Sequence, residues 1–136
     1  MVQSGQLDIQ RNHIVRLFQQ LTVMYADLKT EISHITIHYP VPDDEFSLWE
    51  ELELMIVSIS GYVKQIQSSK TVHKIQAAIA HLQTLSVFAI PIIDQFYRTE
   101  GDRYPRTKSY LQLLDYLRLL TVEYLQSLQA DELIPA

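Results

Sequence analysis

Glu31-Ile32-Ser33-His34 sets a carboxylate and an imidazole three residues apart, on one face of any helix that contains them. Inside a helical bundle that spacing can hold an iron or manganese ion, provided a second such pair and two further inward carboxylates stand at the same axial level. The sequence offers no second pair. His81 falls near the middle of a later predicted helix and His34 near the end of the first, so aligned helix centres leave them roughly 25 Å apart by helical rise. His34 and His38 would form an i, i+4 pair only if the helix ran on to Tyr39. A surface histidine is therefore expected at His34, with no metal and no other cofactor.

His81 suggests a different chemistry. Histidine phosphotransfer domains are also helical bundles, with a reactive, exposed histidine midway along a helix, and His81 falls at an outward position in the heptad set by Val72, Ile75, Ile79 and Leu82. Its neighbours depart from that pattern. A lysine and a small residue normally follow the histidine and let the phosphate approach, whereas here the run is His81-Leu82-Gln83-Thr84-Leu85. The likeness is one of shape. No glycine-rich phosphate loop, nucleophile elbow or His-Glu-x-x-His run occurs, and no acid is placed to work with Glu31. No catalytic residue is assigned, and the expectation is a non-enzymatic protein.

The elements that would carry these residues are long helices. Ile14, Leu17, Phe18, Leu21, Met24, Tyr25, Leu28, Ile32 and Ile35 recur at spacings of three and four and predict a first helix over 7–36. Pro40 and Pro42 end it, and Asp43 or Asp44 can cap the next helix, over 45–67. Gly61, inside that second helix, suggests a close approach of a neighbouring helix. Ser69 or Thr71 can cap a third helix over 72–97, in which Pro91 removes an amide, frees the carbonyl of Val87 and predicts a kink. A loop at 100–105 leads to a fourth helix over 107–129, with Tyr110, Leu114, Leu117, Thr121, Tyr124 and Leu128 on its main stripe. The expected fold is all-α, one domain over 1–136, an up-down antiparallel four-helix bundle with a proline-kinked third helix.

Composition agrees with that fold and narrows the function. The chain has 136 residues, 47% apolar and 20% charged, with few glycines and prolines, as expected of one folded domain with little loop. Cysteine is absent, so no disulfide framework or thiolate chemistry is available and a cytoplasmic setting is the natural expectation. The N-terminus lacks the pattern of a secretory signal. A formal charge of −5 argues against a nucleic-acid partner, which would need a basic stripe to displace phosphate counterions. The uncharged run 75–93 approaches the length of a membrane span, but Gln76, His81, Gln83, Thr84 and Ser86 interrupt it, so no membrane is expected.

What remains is surface. Leu85 and residues 87–93 are apolar all round the predicted third helix, more than one buried stripe requires, and Leu54, Val57, Leu119 and Val122 lie outside the main stripes of the second and fourth. These point to a protein partner or a homodimer, with Val87, Phe88, Ile90, Pro91, Ile92, Leu119 and Val122 at the interface. A second candidate is a docking rim at one end of the bundle, formed by Tyr39, Trp49, Tyr97, Arg103, Tyr104 and Arg106 beside the acids at the start of the second helix. The expected function is an interaction or regulatory bundle that self-associates through the third helix, with a His81 phosphotransfer bundle or a Glu31/His34 metal bundle as the alternatives.

Overall fold

The three-and-four spacing of apolar residues becomes helix along most of the described chain. A computed structural model describes residues 4–38, 48–68 and 74–133, and among these the chain is all-α, with no strand. Five α-helices follow in order: α1 (Ser4–His38), α2 (Leu48–Ser68), α3 (Ile75–Thr84), α4 (Pro91–Glu100) and α5 (Pro105–Leu133). Two 3₁₀ turns, Val87–Ala89 and Gly101–Arg103, precede α4 and α5. No helix among the described residues is long and apolar enough to cross a membrane. The expected caps Asp43, Asp44, Ser69 and Thr71 lie outside the described residues. The start of α3 is described, and there Lys74 takes the left-handed conformation, with φ 56° and ψ 49°.

The predicted third helix is two helices, and this is the main correction to the expected four. α3 ends where the Leu85 amide turns back to the Leu82 carbonyl at 3.1 Å. Ser86 is extended, and its hydroxyl accepts the Phe88 amide at 3.3 Å, capping the 3₁₀ turn. Ile90 is extended as well, the conformation a following proline favours. Pro91 therefore opens α4 at its first position, where its missing amide costs nothing, and does not kink a continuous helix. Nor is the Val87 carbonyl left free, because it accepts the Ile90 amide at 3.3 Å. A run of apolar residues that would encircle one helix is sorted by the break: Val87 and Ile93 reach the core, and Phe88, Ile90 and Ile92 pack half-buried against it.

α5 is the axis of the molecule. It runs antiparallel to α1, since Gln10 meets Ser127 near one end of the pair and Glu31 meets Thr107 near the other. α3 and α4 also run against it, joined through Gln76 to Gln129 and Tyr97 to Gln112. Two sets of α5 side chains are consequently buried, the expected stripe and a second one of Leu111, Arg118, Val122 and Leu125. Ile14, Leu17, Leu21 and Leu28 of α1 and Leu52, Met55, Ile59, Val63 and Ile66 of α2 close the core, each fully buried aliphatic contributing about 1.5–3 kcal/mol. Gly61 is exposed, with nothing within 4 Å of where its Cβ would stand, so no helix among the described residues approaches it. Close packing against a glycine occurs at Gly101, where a Cβ would meet the Lys108 side chain at 3.3 Å.

Candidate functional site

The residues with chemical potential separate into three places. Glu31 belongs to the end of α5. A helix leaves its first amides without partners; here Pro105 has none, Thr107 donates to Glu31 Oε2 at 2.9 Å, and Arg106 donates to Oε1 at 3.4 Å. The Thr107 hydroxyl, fully buried, adds a 2.7 Å bond to the same carboxylate. The Lys108 amide begins the regular ladder on the Tyr104 carbonyl. Glu31 is thus a cap supplied by α1, with its charge at the positive end of the α5 dipole. His34 is exposed, with its ring 5.8 Å from that of Tyr104. No group of three or more potential ligands of the His, Cys, Asp and Glu types is found among the described residues.

His81 is exposed on α3, and its Nδ1 pairs with the Tyr62 hydroxyl of α2 at 2.5 Å, the rings meeting edge to face. Tyr62 fixes the imidazole by the nitrogen on the backbone side and does not engage Nε2. The sequence places Tyr62 on the core stripe; its half-burial and polar tip are what allow this contact.

The third place is the break between α3 and α4. Arg118, 8% exposed, donates from Nη1 to the carbonyls of Leu82 at 3.2 Å and Gln83 at 3.4 Å, satisfying the end of α3. Its Nε bonds Asp115 at 3.0 Å, and the same carboxylate oxygen accepts the Ser86 hydroxyl at 2.9 Å. One buried arginine and one aspartate of α5 therefore hold both sides of the break. Beside them the Phe88 and Tyr97 rings meet edge to face at 4.8 Å. Gln112 donates to the Tyr97 hydroxyl at 2.6 Å, and the Lys108 ammonium lies 5.5 Å from the Tyr97 ring centre while bonding Asp102 at 2.6 Å. That pair holds the Asp102 carboxyl below its ordinary value and the Lys108 ammonium above its own. Leu119, seven residues beyond Gln112 on the same face of α5, is 46% exposed. Phe88, Tyr97 and Gln112 thus mark a seam between the break, α4 and α5, and helical spacing places Leu119 two turns along the α5 side of it.

The predicted surfaces are regrouped accordingly. Val87, fully buried, and Val122, 7% exposed, are core residues; Val122 lies one turn beyond Arg118 on the flank of α5 that α3 covers. Ile90 and Ile92 are half-buried, Pro91 exposed. In the predicted rim, Tyr104 is buried between Phe96 and His34, because the 3₁₀ turn before α5 swings it inward. Arg103 and Arg106 are exposed, and Arg103 lies 3.5 Å from Glu100. Tyr39 and the Trp49 side chain lie outside the described residues. Arg98 and Lys108 pair with Asp94 and Asp102 of their own corner, a local match that spacing along the sequence already permits. Arg118 and Asp115 share that kind of spacing, three residues apart, but their reach to Ser86 and the α3 carbonyls has no such signal, since it depends on which flank of α5 faces the break.

Comparison with protein-family models, with curated proteins and with solved structures returned no match.

Proposed function

We propose that the chain is a non-enzymatic interaction module that docks a protein partner on the seam between the helix break, α4 and α5. The observation that carries this reading is the half-buried Phe88 and Tyr97 pair, tied to α5 through Gln112, with Leu119 exposed two turns further along the same face of α5. Partner surfaces concentrate their energy in a few aromatic and apolar anchors surrounded by polar groups, and Gln112, Lys108 and Asp102 supply such a border. In this reading α3 and α4 are one broken arm of an up-down four-helix bundle, and the break, clamped by Arg118, is a fixed shape offered to the partner. With Val87 and Val122 in the core, the seam is narrower than the predicted homodimer face and suits an inserted apolar side chain better than a broad contact between two copies. The absence of cysteine fits a cytoplasmic setting.

Leu119→Glu tests the seam, since the position is exposed and the fold tolerates a charge there. A photo-crosslinking residue at Leu119 in the native cell should yield one dominant adduct, and purified partner should bind the wild type at least about tenfold more tightly than Leu119→Glu. Equal binding by the two proteins, or adducts no different from those formed at exposed Gln126, would remove the seam from consideration.

A further inference from the structure

α2 is apolar on both sides. Its inner face fills the core, yet on the opposite face Leu54 is 57% exposed and Val57 is 69% exposed. Gly61 follows one turn on, exposed and with open space around it, and Lys64 one turn beyond that. Leu54, Val57, Gly61 and Lys64 are spaced by three, four and three, the seam along which one helix meets another. A solvent-facing glycine in a helix interior weakens the helix, and no contact among the described residues calls for one here. A second helix does, because the side chains at a crossing set how closely two axes approach.

Charge identifies that second helix. Acids stand at the start of α2, with Glu50 and Glu51 in its first turn and Glu53 on the next, where the Tyr25 hydroxyl holds it at 3.2 Å; Lys64 stands towards its other end. A parallel copy of α2 would set like charges against each other. An antiparallel copy brings each Lys64 towards the other copy's Glu50 and Glu53. We infer that the outer face of α2 docks a second copy of this chain, antiparallel about a two-fold axis near Val57, with Val57 packed on its counterpart and Leu54 of each copy seated against Gly61 of the other, where the missing side chain gives the close approach. One helix pair buries less than a standard interface, so the dimer is weak and concentration-dependent. The face is on a different helix from the seam, and variants at Val57 and Leu119 test the two separately.

The test is solution mass by sedimentation across a concentration series, with circular dichroism confirming that each variant is folded. The wild-type mass should rise towards that of a dimer, and Leu119→Glu should follow the same curve. Val57→Glu should remain a monomer. Lys64→Glu should weaken the dimer roughly tenfold, and combining it with Glu50→Lys and Glu53→Lys should recover the loss. The chain has no cysteine of its own, so mild oxidation of single-cysteine variants reads the geometry. Val57→Cys should crosslink, whereas Lys64→Cys should not, its two copies lying about 20 Å apart along antiparallel helices. A wild type that stays monomeric at every concentration, a dimer indifferent to Val57→Glu, or crosslinking at Lys64→Cys equal to that at Val57→Cys would each overturn the proposal.

Discussion

Glu31 illustrates how a residue type can be read correctly as reactive and still be employed structurally. Its spacing to His34 satisfies the local rule for an ion-binding pair, but the groups that occupy its oxygens belong to residues 75 and 76 positions further along the chain. Nothing local in the sequence points to them. The nearest sequence signal is Pro105, which starts a helix well but offers no side chain to cap the amides that follow. The carboxylate of α1 fills that role, and its removal orphans two amides and a buried hydroxyl. Glu31→Ala is expected to lower stability by about 1–2 kcal/mol, the range for loss of a helix cap. Glu31→Gln, which retains one acceptor oxygen, should lose less. Urea denaturation of the three proteins checks this, and an alanine variant as stable as the wild type would show that water replaces the cap at no cost.

At the scale of an element, the break between α3 and α4 separates what the pattern conveyed from what it did not. The encircling apolar run reads as a partner surface, while Pro91 marks an irregularity, which the structure has as a break and not a kink. Its position, however, is set by Arg118 and Asp115 of α5, whose side chains reach the α3 carbonyls and Ser86. A charged pair in the middle of a helical stripe reads as solvent-facing until the flank it occupies is known. The two explanations of the break differ in their consequences. Pro91→Ala should change stability by less than about 1 kcal/mol and leave the helical content unaltered, since an alanine also suits the first position of α4. Arg118→Met should cost about 3 kcal/mol, because it strands a largely buried Asp115 and uncaps α3. Adding Asp115→Asn to Arg118→Met should restore part of that loss, a coupling that a double-mutant cycle measures. A gain of helix in Pro91→Ala would return the proline to the controlling role.

For the whole molecule, the core stripes on α1 and α5 were legible because each follows the helical period: Ile14, Leu17, Leu21, Leu28 and the expected α5 stripe are buried and Phe18, Met24 and Tyr25 half-buried, while the side chains of Ile32 and Ile35 lie outside the described residues. What periodicity could not give is how many sides of α5 are covered. Leu119 and Val122 look alike in the sequence, yet one is exposed and the other buried, because α3 covers only one flank of α5. That central position of α5 also shapes the response of the entire fold to alkali. Tyr110 is 2% exposed, and burial, with the nearby Tyr25 adding to it, pushes its hydroxyl well above the ordinary value of 10.0. Tyr124 is raised by burial, with opposing smaller effects from Arg11 and Asp8; Tyr25 is raised by burial and then by Glu53. Each group therefore keeps its proton in the folded chain after the unfolded chain has lost it. The folded state then binds more protons, and stability must fall as pH rises. The contribution is intact below pH 10 and declines above it, for buried Tyr110 by up to about 1.4 kcal/mol per pH unit. Tyr110→Phe should match the wild type's pH profile up to pH 10 and then decline less steeply, the gap widening towards pH 12 in denaturation series at fixed ionic strength. If the two profiles stay parallel across that range, the Tyr110 hydroxyl ionises as readily in the folded chain as in the unfolded one, and the alkaline limit of the fold lies elsewhere.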